Sequence, residues 1–295
     1  MKSTVKVLDG GMGTALSDMG LDLSGSLWSA RVLLENPNAI KTVHENHARA
    51  GADILTSSSY QASLQGFEKA GYTRDDYLRA LEKSTELVCE VAEVVGKNEG
   101  RQILVAASIG PYGATLADGS EYRGDYDVSK EFLVHFHAER LDHILQYEFD
   151  YLAFETVPSV IELEAINELL SNDFQSSRAW VSCSANSSTT ISDGTPFRDA
   201  IKVLTAHNIV ARGINCTHPD FISPLLDTAE GPFVVYPNAG TWDAINRQWL
   251  EANNSNFTKE ILQDWIDNDV KIIGGCCGLG VEYIKEISAI LGLQQ

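Results

Sequence analysis

Two adjacent cysteines in a glycine-rich segment could bind a metal ion or form a redox pair. Cys276 and Cys277 stand in GGCCG, at 274–278. A disulfide between neighbouring residues closes a small, strained ring, which disfavours the redox pair. Two other roles remain open, because the thiols could be ordinary core residues or two ligands of a metal ion that needs a third.

A third cysteine stands at the end of another strand-like run. Cys216 lies in GINCT, at 213–217, far from Cys276 along the chain. Such a separation is unlike a zinc finger, so the fold has to bring the segments together. Soft thiolate ligands favour zinc over magnesium or calcium. Three protein ligands leave one zinc position open, which is typical of a catalytic site. The residues therefore favour a three-cysteine zinc site, with plain core packing as the main alternative.

The cysteine pair imposes a local requirement on the backbone. Neighbouring side chains of a regular strand point to opposite faces, so Cys276 and Cys277 could not both face one ion in that geometry. Glycine adopts backbone angles that other residues avoid. We therefore expect the surrounding glycines to let both sulfur atoms turn inward. Cys89, in a predicted helix, and Cys183, in a predicted strand, are expected to be packing residues.

Eight short apolar or β-branched runs alternate with helix-like segments. The runs lie near 4–11, 52–60, 103–110, 151–156, 179–185, 209–217, 232–240 and 270–278. Nearly continuous hydrophobicity is typical of parallel strands buried on both faces. Helix signals separate the runs, such as Asn36, Pro37 and Gly51 around one segment. The pattern predicts an α/β protein, a single (β/α)8 TIM barrel that forms one domain over residues 1–295.

The predicted barrel places the candidate residues together. The alternative fold is an open doubly wound sheet, but no G-x-G-x-x-G motif follows the first strand. Barrel enzymes carry their chemistry at the carboxyl ends of the strands. The polar, glycine and cysteine residues at these ends include Asp9, Gly10, Gly11, Glu155, Asn215, Cys216, Cys276 and Cys277. We therefore expect all of them at one mouth of the barrel.

The charge of the chain disfavours several classes of partner. Asp and Glu total 41 against 22 Lys and Arg, which gives a formal net charge of -19. Such a surface would repel nucleic acid and anionic membranes, and would weakly attract a small cation. The sequence contains neither a secretory signal pattern nor a run of about 20 apolar residues. Five cysteines are a poor disulfide framework. We expect a cytoplasmic protein with reduced thiols.

The histidines are weaker candidates for the site. His44, His47 and His137 lie in predicted helices away from the mouth, and we expect exposed or helix-capping positions for them. His218 follows Cys216 by two residues and is the histidine that could reach the mouth.

The motifs together resemble those of the homocysteine S-methyltransferase family. The matching stretches are DGGMGTAL (9–16), GADILTSSSYQAS (51–63), SIGPYGATLADGSEYRGDY (108–126), FETVPSVIELEA (154–165), SDGT (192–195), GINCTHP (213–219), VYPNAG (235–240) and GGCCG (274–278). They span nearly the whole chain in the right order. The 108–126 stretch is most similar to the branch that uses S-methylmethionine or S-adenosylmethionine as the methyl donor.

The resemblance implies a cofactor and a reaction. A zinc ion (Zn2+) would be held by Cys216, Cys276 and Cys277. L-Homocysteine would bind zinc through its sulfur and take a methyl group from S-methylmethionine or S-adenosylmethionine, giving methionine. The chemistry is consistent, because a free thiol is only slightly ionised at neutral pH and zinc deprotonates a coordinating thiol. A non-catalytic zinc or thiol sensor built on the same barrel is the alternative.

The resemblance also suggests substrate-binding residues. Glu155 would contact the amino group of homocysteine; its alternatives are capping of the helix that begins near Pro158 and pairing with an arginine such as Arg123. Asp9, with the following Gly10 and Gly11, would contact the amino-acid end of homocysteine or would form only a tight turn. Asn215 belongs to the same expected set.

The donor site is expected in the long segment 110–128, which follows the third strand. Tyr112, Tyr122 and Tyr126 offer aromatic faces that suit a sulfonium cation, and the acidic residues of the segment add negative charge. Trp242 would contribute from the other rim of the mouth. The alternative is a packed surface loop without a binding role.

Overall fold

Eight parallel strands form the sheet of the protein, in a computed structural model that describes residues 5–23, 27–243, 248–249 and 258–292. The strands are Lys6–Val7, Ile54–Thr56, Leu104–Ile109, Tyr151–Val157, Ala179–Cys183, Ile209–Asn215, Phe233–Tyr236 and Val270–Ile273. The second to seventh strands each pair with the next strand along the chain, and the eighth pairs with the first. One parallel bridge, between Leu8 and Ile54, joins the first two strands. The sheet is therefore a nearly closed barrel, as the sequence predicts.

Helices connect the strands and surround the barrel. Those within the described ranges are α1 (Met12–Asp18), α2 (Trp28–Glu35), α3 (Pro37–Arg49), α4 (Leu64–Lys69), α5 (Arg74–Glu99), α6 (Tyr112–Leu116), α7 (Lys130–Ile144), α8 (Val160–Asn172), α9 (Phe197–Ile201), α10 (Pro219–Leu226), α11 (Lys259–Asp267) and α12 (Val281–Gly292). A 3-10 turn spans Ser120–Tyr122, and a short hairpin pairs Trp242–Asp243 with Gln248–Trp249. None of the described helices combines the length and the apolar composition that crossing a bilayer requires.

The strands separate two apolar layers. One fills the barrel, and its buried members are Leu8, Ile54, Ala106, Tyr151, Ala153, Trp180, Ala211, Val234, Tyr236 and Ile272. The other lies between the strands and the helices and includes Leu152, Phe154 and Cys183. Side chains alternate along a strand, so Glu155 shares the inner face with Tyr151 and Ala153. This alternation directs a carboxyl group into the barrel and places Cys183 in the outer layer.

The expectation of exposed or capping histidines is wrong for three of them. His44, His47 and His137 are all fully buried. In α3 the buried residues Ile40, Val43, His44 and His47 follow the spacing of one helix face, and that face packs inward. Burial lowers the pKa of His44 to about 3 and that of His47 to about 4, so both rings are neutral.

A glycine in the sixth strand permits close approach of the seventh. A Cβ atom at Gly213 would lie 1.8 Å from the carbonyl oxygen of Val234. We expect Gly213→Ala to lower the free energy of unfolding by about 3 kcal/mol, because the backbone has to move apart. Denaturant unfolding measures this change. Gly292→Ala is the control, since no described atom lies within 4 Å of that Cβ. Equal stability of the two variants would contradict the prediction.

Candidate active site

A cavity opens at the carboxyl ends of the strands, where the sequence places the site. It contains about 840 Å³ of empty space, part of which is open to solvent. Its lining includes all eight of the predicted strand-end residues, namely Asp9, Gly10, Gly11, Glu155, Asn215, Cys216, Cys276 and Cys277. The fold therefore brings together residues from the first, fourth, sixth and eighth strand units, and their individual roles stay predictions.

Three of these residues form a cluster of thiols, called here the cysteine triad. The Sγ atoms of Cys216, Cys276 and Cys277 all lie within 4.8 Å of one another, and those of Cys276 and Cys277 are 4.0 Å apart. Zinc–sulfur bonds of about 2.3 Å in a tetrahedral site separate the sulfur atoms by about 3.8 Å. The spacing and the chemistry of the triad therefore fit one zinc ion with a ligand position left open.

The neighbouring cysteines face one point because the strand ends before them. The eighth strand ends at Ile273, and Cys277 lies in a turn with Gly278, whose φ is +80°. Gly274 and Gly275 do not have positive φ, so the expected backbone freedom applies to Gly278. At the other two positions glycine is needed for space, since a Cβ would lie 2.6 Å from Cβ of Leu8 and 2.9 Å from Cβ of Leu279, respectively.

Cys216 is held in an uncommon backbone conformation. Its φ is +47°, in the left-handed region that residues other than glycine rarely adopt. Its N–H donates to the carbonyl oxygen of Tyr236 at 3.0 Å, and the side chain of Asn238 donates to its carbonyl oxygen at 3.1 Å. Strained residues of this kind persist where the surrounding structure fixes them, often at functional sites. Here the contacts aim the thiol at its two partners.

Hydrogen bonds within the triad shift the pKa values of Cys276 and Cys277 in opposite directions. Those from Cys216 and Cys276 lower the pKa of Cys277, whereas hydrogen bonding to the other two sulfur atoms and burial raise the pKa of Cys276. The thiol of Cys277 therefore ionises more readily than that of Cys276.

Asn215 lines the cavity, but much of its amide is bonded to protein groups. The amide oxygen accepts from the N–H of Thr156 at 2.6 Å and from the hydroxyl of Ser182 at 2.8 Å. The amide nitrogen donates to Oγ1 of Thr156 at 2.7 Å. Thr156 also has a positive φ, of +59°. In the structure Asn215 thus joins the sixth strand to the fourth and supports the backbone beside Glu155.

Glu155 projects into the cavity as a buried acid. It accepts hydrogen bonds from the hydroxyls of Ser108 and Tyr236. Burial is the largest effect on its pKa, which rises to about 7. Among the described residues Glu155 forms no ion pair, Arg123 pairs with Asp125, and the first N–H of α8 donates to Asp193 rather than to Glu155. Its carboxyl group remains directed at the cavity.

Asp9 is a second buried acid at the same end of the barrel. Its carboxylate accepts from the N–H of Thr56 at 2.7 Å and from the Thr56 hydroxyl at 3.1 Å. Burial raises the pKa of Asp9 to about 8, and the charge of Glu155 adds to the increase. Gly10 and Gly11 follow in a tight approach to the eighth-strand segment, since a Cβ at Gly11 would lie 2.5 Å from the carbonyl oxygen of Cys276.

The segment after the third strand is folded over the cavity rather than open. It contains α6 and the 3-10 turn Ser120–Tyr122. The hydroxyl of Tyr122 lies 3.3 Å from Sγ of Cys216, and Tyr122 lines the cavity. Tyr122 is therefore the donor-site candidate of this segment that reaches the triad.

The other two tyrosines of the segment point elsewhere. Glu162, fully buried in α8, accepts from the N–H of Tyr112 at 2.7 Å, from the hydroxyl of Tyr126 and from Nε2 of His137 at 2.8 Å. The ring of Tyr112 packs edge-on against that of Tyr126. The structure thus does not bring Tyr112 or Tyr126 to the cavity; they anchor the segment that carries Tyr122.

The remaining candidates have defined outcomes. Trp242 lies in the short hairpin, and its side chain falls outside the described residues. His218 caps α10, because its Nδ1 accepts from the N–H of Asp220 at 3.2 Å, and it is not among the residues that line the cavity. The lining also contains Tyr60, which the sequence places at the end of the second strand, and Tyr236, which the sequence motifs leave unassigned. Their positions at strand ends were the available signal.

Comparisons with known proteins agree with this geometry. Residues 6–291 match the family described as homocysteine S-methyltransferase. Homocysteine S-methyltransferase YbgG from Bacillus subtilis is 40% identical, over 96% of this chain and 93% of that protein. Homocysteine S-methyltransferase from Escherichia coli is 40% identical, over 94% and 92%. Selenocysteine Se-methyltransferase from Brassica oleracea var. italica is 38% identical, over 95% and 87%.

Solved structures show the same relationship. The crystal structure of the homocysteine methyltransferase MmuM from Escherichia coli, in its metallated form, matches with a TM-score of 0.86 and 38% identity, over 98% of this chain and 96% of that chain. Its oxidised form matches with a TM-score of 0.87 over the same shares. The barrel, the motifs and these relatives lead to one conclusion: this chain is an enzyme of the homocysteine S-methyltransferase family.

Proposed function

We propose that this enzyme moves a methyl group from S-methylmethionine or S-adenosylmethionine to the sulfur of L-homocysteine, giving methionine. The observation that carries the proposal is the cysteine triad, which opens into a cavity that also contains two buried carboxyl groups. The triad suits the activation of a thiol, and the carboxyl groups suit an amino acid. The family and its relatives at 40% identity support the same acceptor.

We propose that Cys216, Cys276 and Cys277 bind zinc as thiolates. A zinc ion bound there would lower the pKa of a fourth, substrate thiol and so supply a thiolate at neutral pH. The chain itself contributes the arrangement of the ligands. Backbone hydrogen bonds and the strained conformation at Cys216 hold its thiol beside the other two, so little rearrangement is needed on binding.

We propose that Asp9 and Glu155 bind the ammonium group of homocysteine. Both are buried, and no ion pair to either is present among the described residues. Their raised pKa values have burial as the largest cause and identify carboxyl groups that lack a compensating cation. An ammonium ion between them would supply that charge. It would also leave the thiol end of the amino acid free to reach the triad.

The transfer itself balances without an added acid or base. The thiolate sulfur of homocysteine forms a bond to the methyl carbon, while the bond from that carbon to the sulfonium sulfur breaks and its electron pair stays on the leaving sulfur. The donor leaves as a neutral thioether. The remaining task of the protein is to hold the two sulfur atoms and the methyl carbon in line. The segment carrying Tyr122 closes over this region.

One experiment tests the proposal directly. The chain is purified without chelator, its zinc content per chain is measured, and methionine formation is assayed with each sulfonium donor. Zinc near one per chain with turnover is the expected result, and the faster donor identifies the branch. Bound zinc without turnover on either donor would favour a sensor and contradict the proposal. Selenocysteine is a useful second acceptor, since one relative is a selenocysteine Se-methyltransferase.

Affinity for the amino-acid product should increase with pH. Glu155 and Asp9 have pKa values of about 7 and 8, so both are largely protonated at pH 6 and ionise as pH rises. An ammonium ion binds the ionised form, so we expect methionine to bind about tenfold more tightly at about pH 8 than at about pH 6. Calorimetry with zinc-loaded protein measures this. A flat profile, or an equal slope in Glu155→Gln, would contradict the prediction.

We also propose a cytoplasmic location and a single catalytic unit over residues 1–295. All five cysteines are free thiols, which a reducing compartment maintains. The net charge of -19 disfavours nucleic acid and anionic membranes as partners.

A further inference from the structure

A third buried acid near the triad forms no ion pair among the described residues. Glu121 lies in the 3-10 turn next to Tyr122, and its exposed fraction is 2%. Its Oε2 atom is buried and has no hydrogen-bond partner among the described residues. The neighbouring Arg123 pairs with Asp125 and Asp118 instead. A buried carboxylate without a compensating cation is costly, so its position needs an explanation.

The backbone around Glu121 is fixed rather than incidental. Its carbonyl oxygen accepts from the hydroxyl of Ser184 at 2.9 Å, which ties the turn to the segment after the fifth strand. A Cβ atom at Gly113 would lie 2.7 Å from the nitrogen of Glu121, so α6 packs directly against the turn. Together these contacts fix the backbone from which the carboxyl group projects.

The charge of Glu121 acts on groups that line the cavity. The pKa of the Cys277 thiol is lowered, chiefly by the hydrogen bond from Cys216, and the charge of Glu121 opposes that lowering; the pKa of the Tyr60 hydroxyl is raised, first by burial and then by the charge of Glu121. Burial, followed by the charge of Cys216, raises the pKa of Glu121 itself to about 7. The carboxyl group thus lies within electrostatic range of two triad cysteines and of Tyr60, all at the same cavity.

Glu162 shows by contrast what a structural acid in this region looks like. Its carboxylate accepts three hydrogen bonds, from Tyr112, Tyr126 and His137, and it anchors the segment. Glu121 belongs to the anchored segment and lacks such partners at Oε2. The two buried acids therefore differ: Glu162 holds the segment in place, whereas Oε2 of Glu121 has no partner among the described residues, and its charge acts on the cavity from beside the lining residues rather than as one of them.

We propose that Glu121 is the anionic part of a subsite for the sulfonium group of the methyl donor, with Tyr122 as its aromatic neighbour. This inference rests on the proposed methyl transfer. The Tyr122 hydroxyl lies 3.3 Å from Sγ of Cys216, so a cation beside this pair would be close to the triad. A carboxylate and an aromatic ring both attract an onium ion. Transfer of the methyl group removes the positive charge, so the attraction acts on the donor and not on the departing thioether.

The test compares Glu121→Gln with Asp125→Asn in the full, zinc-loaded chain. Both variants remove one negative charge from the same segment, but the Asp125 side chain is 60% exposed. For Glu121→Gln we expect the KM for the sulfonium donor to rise about tenfold, with unchanged zinc content and homocysteine KM. Inhibition by the matching thioether, S-adenosylhomocysteine for S-adenosylmethionine or methionine for S-methylmethionine, should change less than about twofold. Asp125→Asn should resemble the wild type.

Several outcomes would overturn the subsite. An unchanged donor KM in Glu121→Gln would make Glu121 a packing residue. Equally weakened binding of the sulfonium and of its thioether would indicate that Glu121 shapes the subsite rather than supplies its charge. Loss of zinc would assign Glu121 to the metal site. Failure of the wild type to form methionine would instead refute the proposed function. Direct binding of the sulfonium and its thioether to the wild type, without homocysteine, then tests the subsite separately. Equal affinity for the two compounds would overturn it, even if Glu121→Gln failed to fold.

Discussion

Alanine at any one of Cys216, Cys276 or Cys277 is expected to abolish zinc retention and to lower methyl transfer by about a thousandfold or more. Two thiolates hold the ion far less tightly than three. Without the ion, the substrate thiol keeps an ordinary pKa and loses several kcal/mol of transition-state stabilisation. The barrel should stay folded, because the triad lies beyond the strand ends and contributes no buried member to either apolar layer, although Cys276 packs against the inner one. Zinc content, circular dichroism and methionine formation measure the three parts of this prediction.

Cys183→Ala is the matched control for the triad. It removes one buried thiol, but that thiol lies in the outer apolar layer and not at the cavity. We expect full zinc content and near-normal turnover, with a modest loss of stability from the small cavity. Full zinc and activity in any triad variant would remove that cysteine from the ligand set.

Loss of the Glu155 charge is expected to raise the homocysteine KM by about a hundredfold. Removing one partner of a buried charge pair costs about 2–5 kcal/mol, because the other charge remains buried. Glu155→Gln retains the shape and can still accept from Ser108, so the change isolates the charge. Zinc content should not change. Steady-state kinetics with homocysteine as the varied substrate measures the effect.

A thiol acid without the amino group sharpens the Glu155 test. For 4-mercaptobutanoate, wild type and Glu155→Gln should bind with similar affinity, since the proposed ammonium contact is missing in both. Glu164→Gln removes a charge from the exposed side of α8 and should leave homocysteine kinetics unchanged. If Glu155→Gln weakens the binding of homocysteine and of 4-mercaptobutanoate equally, the role of Glu155 is to support the cavity rather than to bind the ammonium group.

Most of the fold was predictable from the alternation of apolar runs and helix-like segments in the sequence. Eight apolar runs predict eight strands, and their order brings residues from distant segments to one mouth. The strand ends were less predictable. The eighth run extends to 278 by composition, but the strand ends at Ile273 and a turn carries Cys277. Hydrophobicity does not reveal that turn, which depends on close packing of glycines against Leu8 and Leu279.

The donor segment shows why some site residues were not predictable. Tyr112, Tyr122 and Tyr126 have the same chemistry and lie in one segment, so composition cannot distinguish them. Their directions depend on Glu162, which comes from a later helix and bonds to two of the three. A contact between segments that are distant along the chain decides which tyrosine reaches the triad. The buried histidines of α3 were predictable, because they share a helical spacing with Ile40 and Val43.

The origin of the triad in two distant segments has a consequence for biogenesis. Cys216 follows the sixth strand, and Cys276 and Cys277 follow the eighth, where the N–H of Gly275 bonds to the carbonyl oxygen of Asp9 at 3.1 Å. A nascent chain on the ribosome therefore cannot form the proposed metal site until residue 277 has emerged and the first and eighth strands have paired. If the triad binds zinc as proposed, metal insertion follows closure of the barrel, and a cell short of zinc would accumulate folded barrels awaiting metal rather than misfolded fragments.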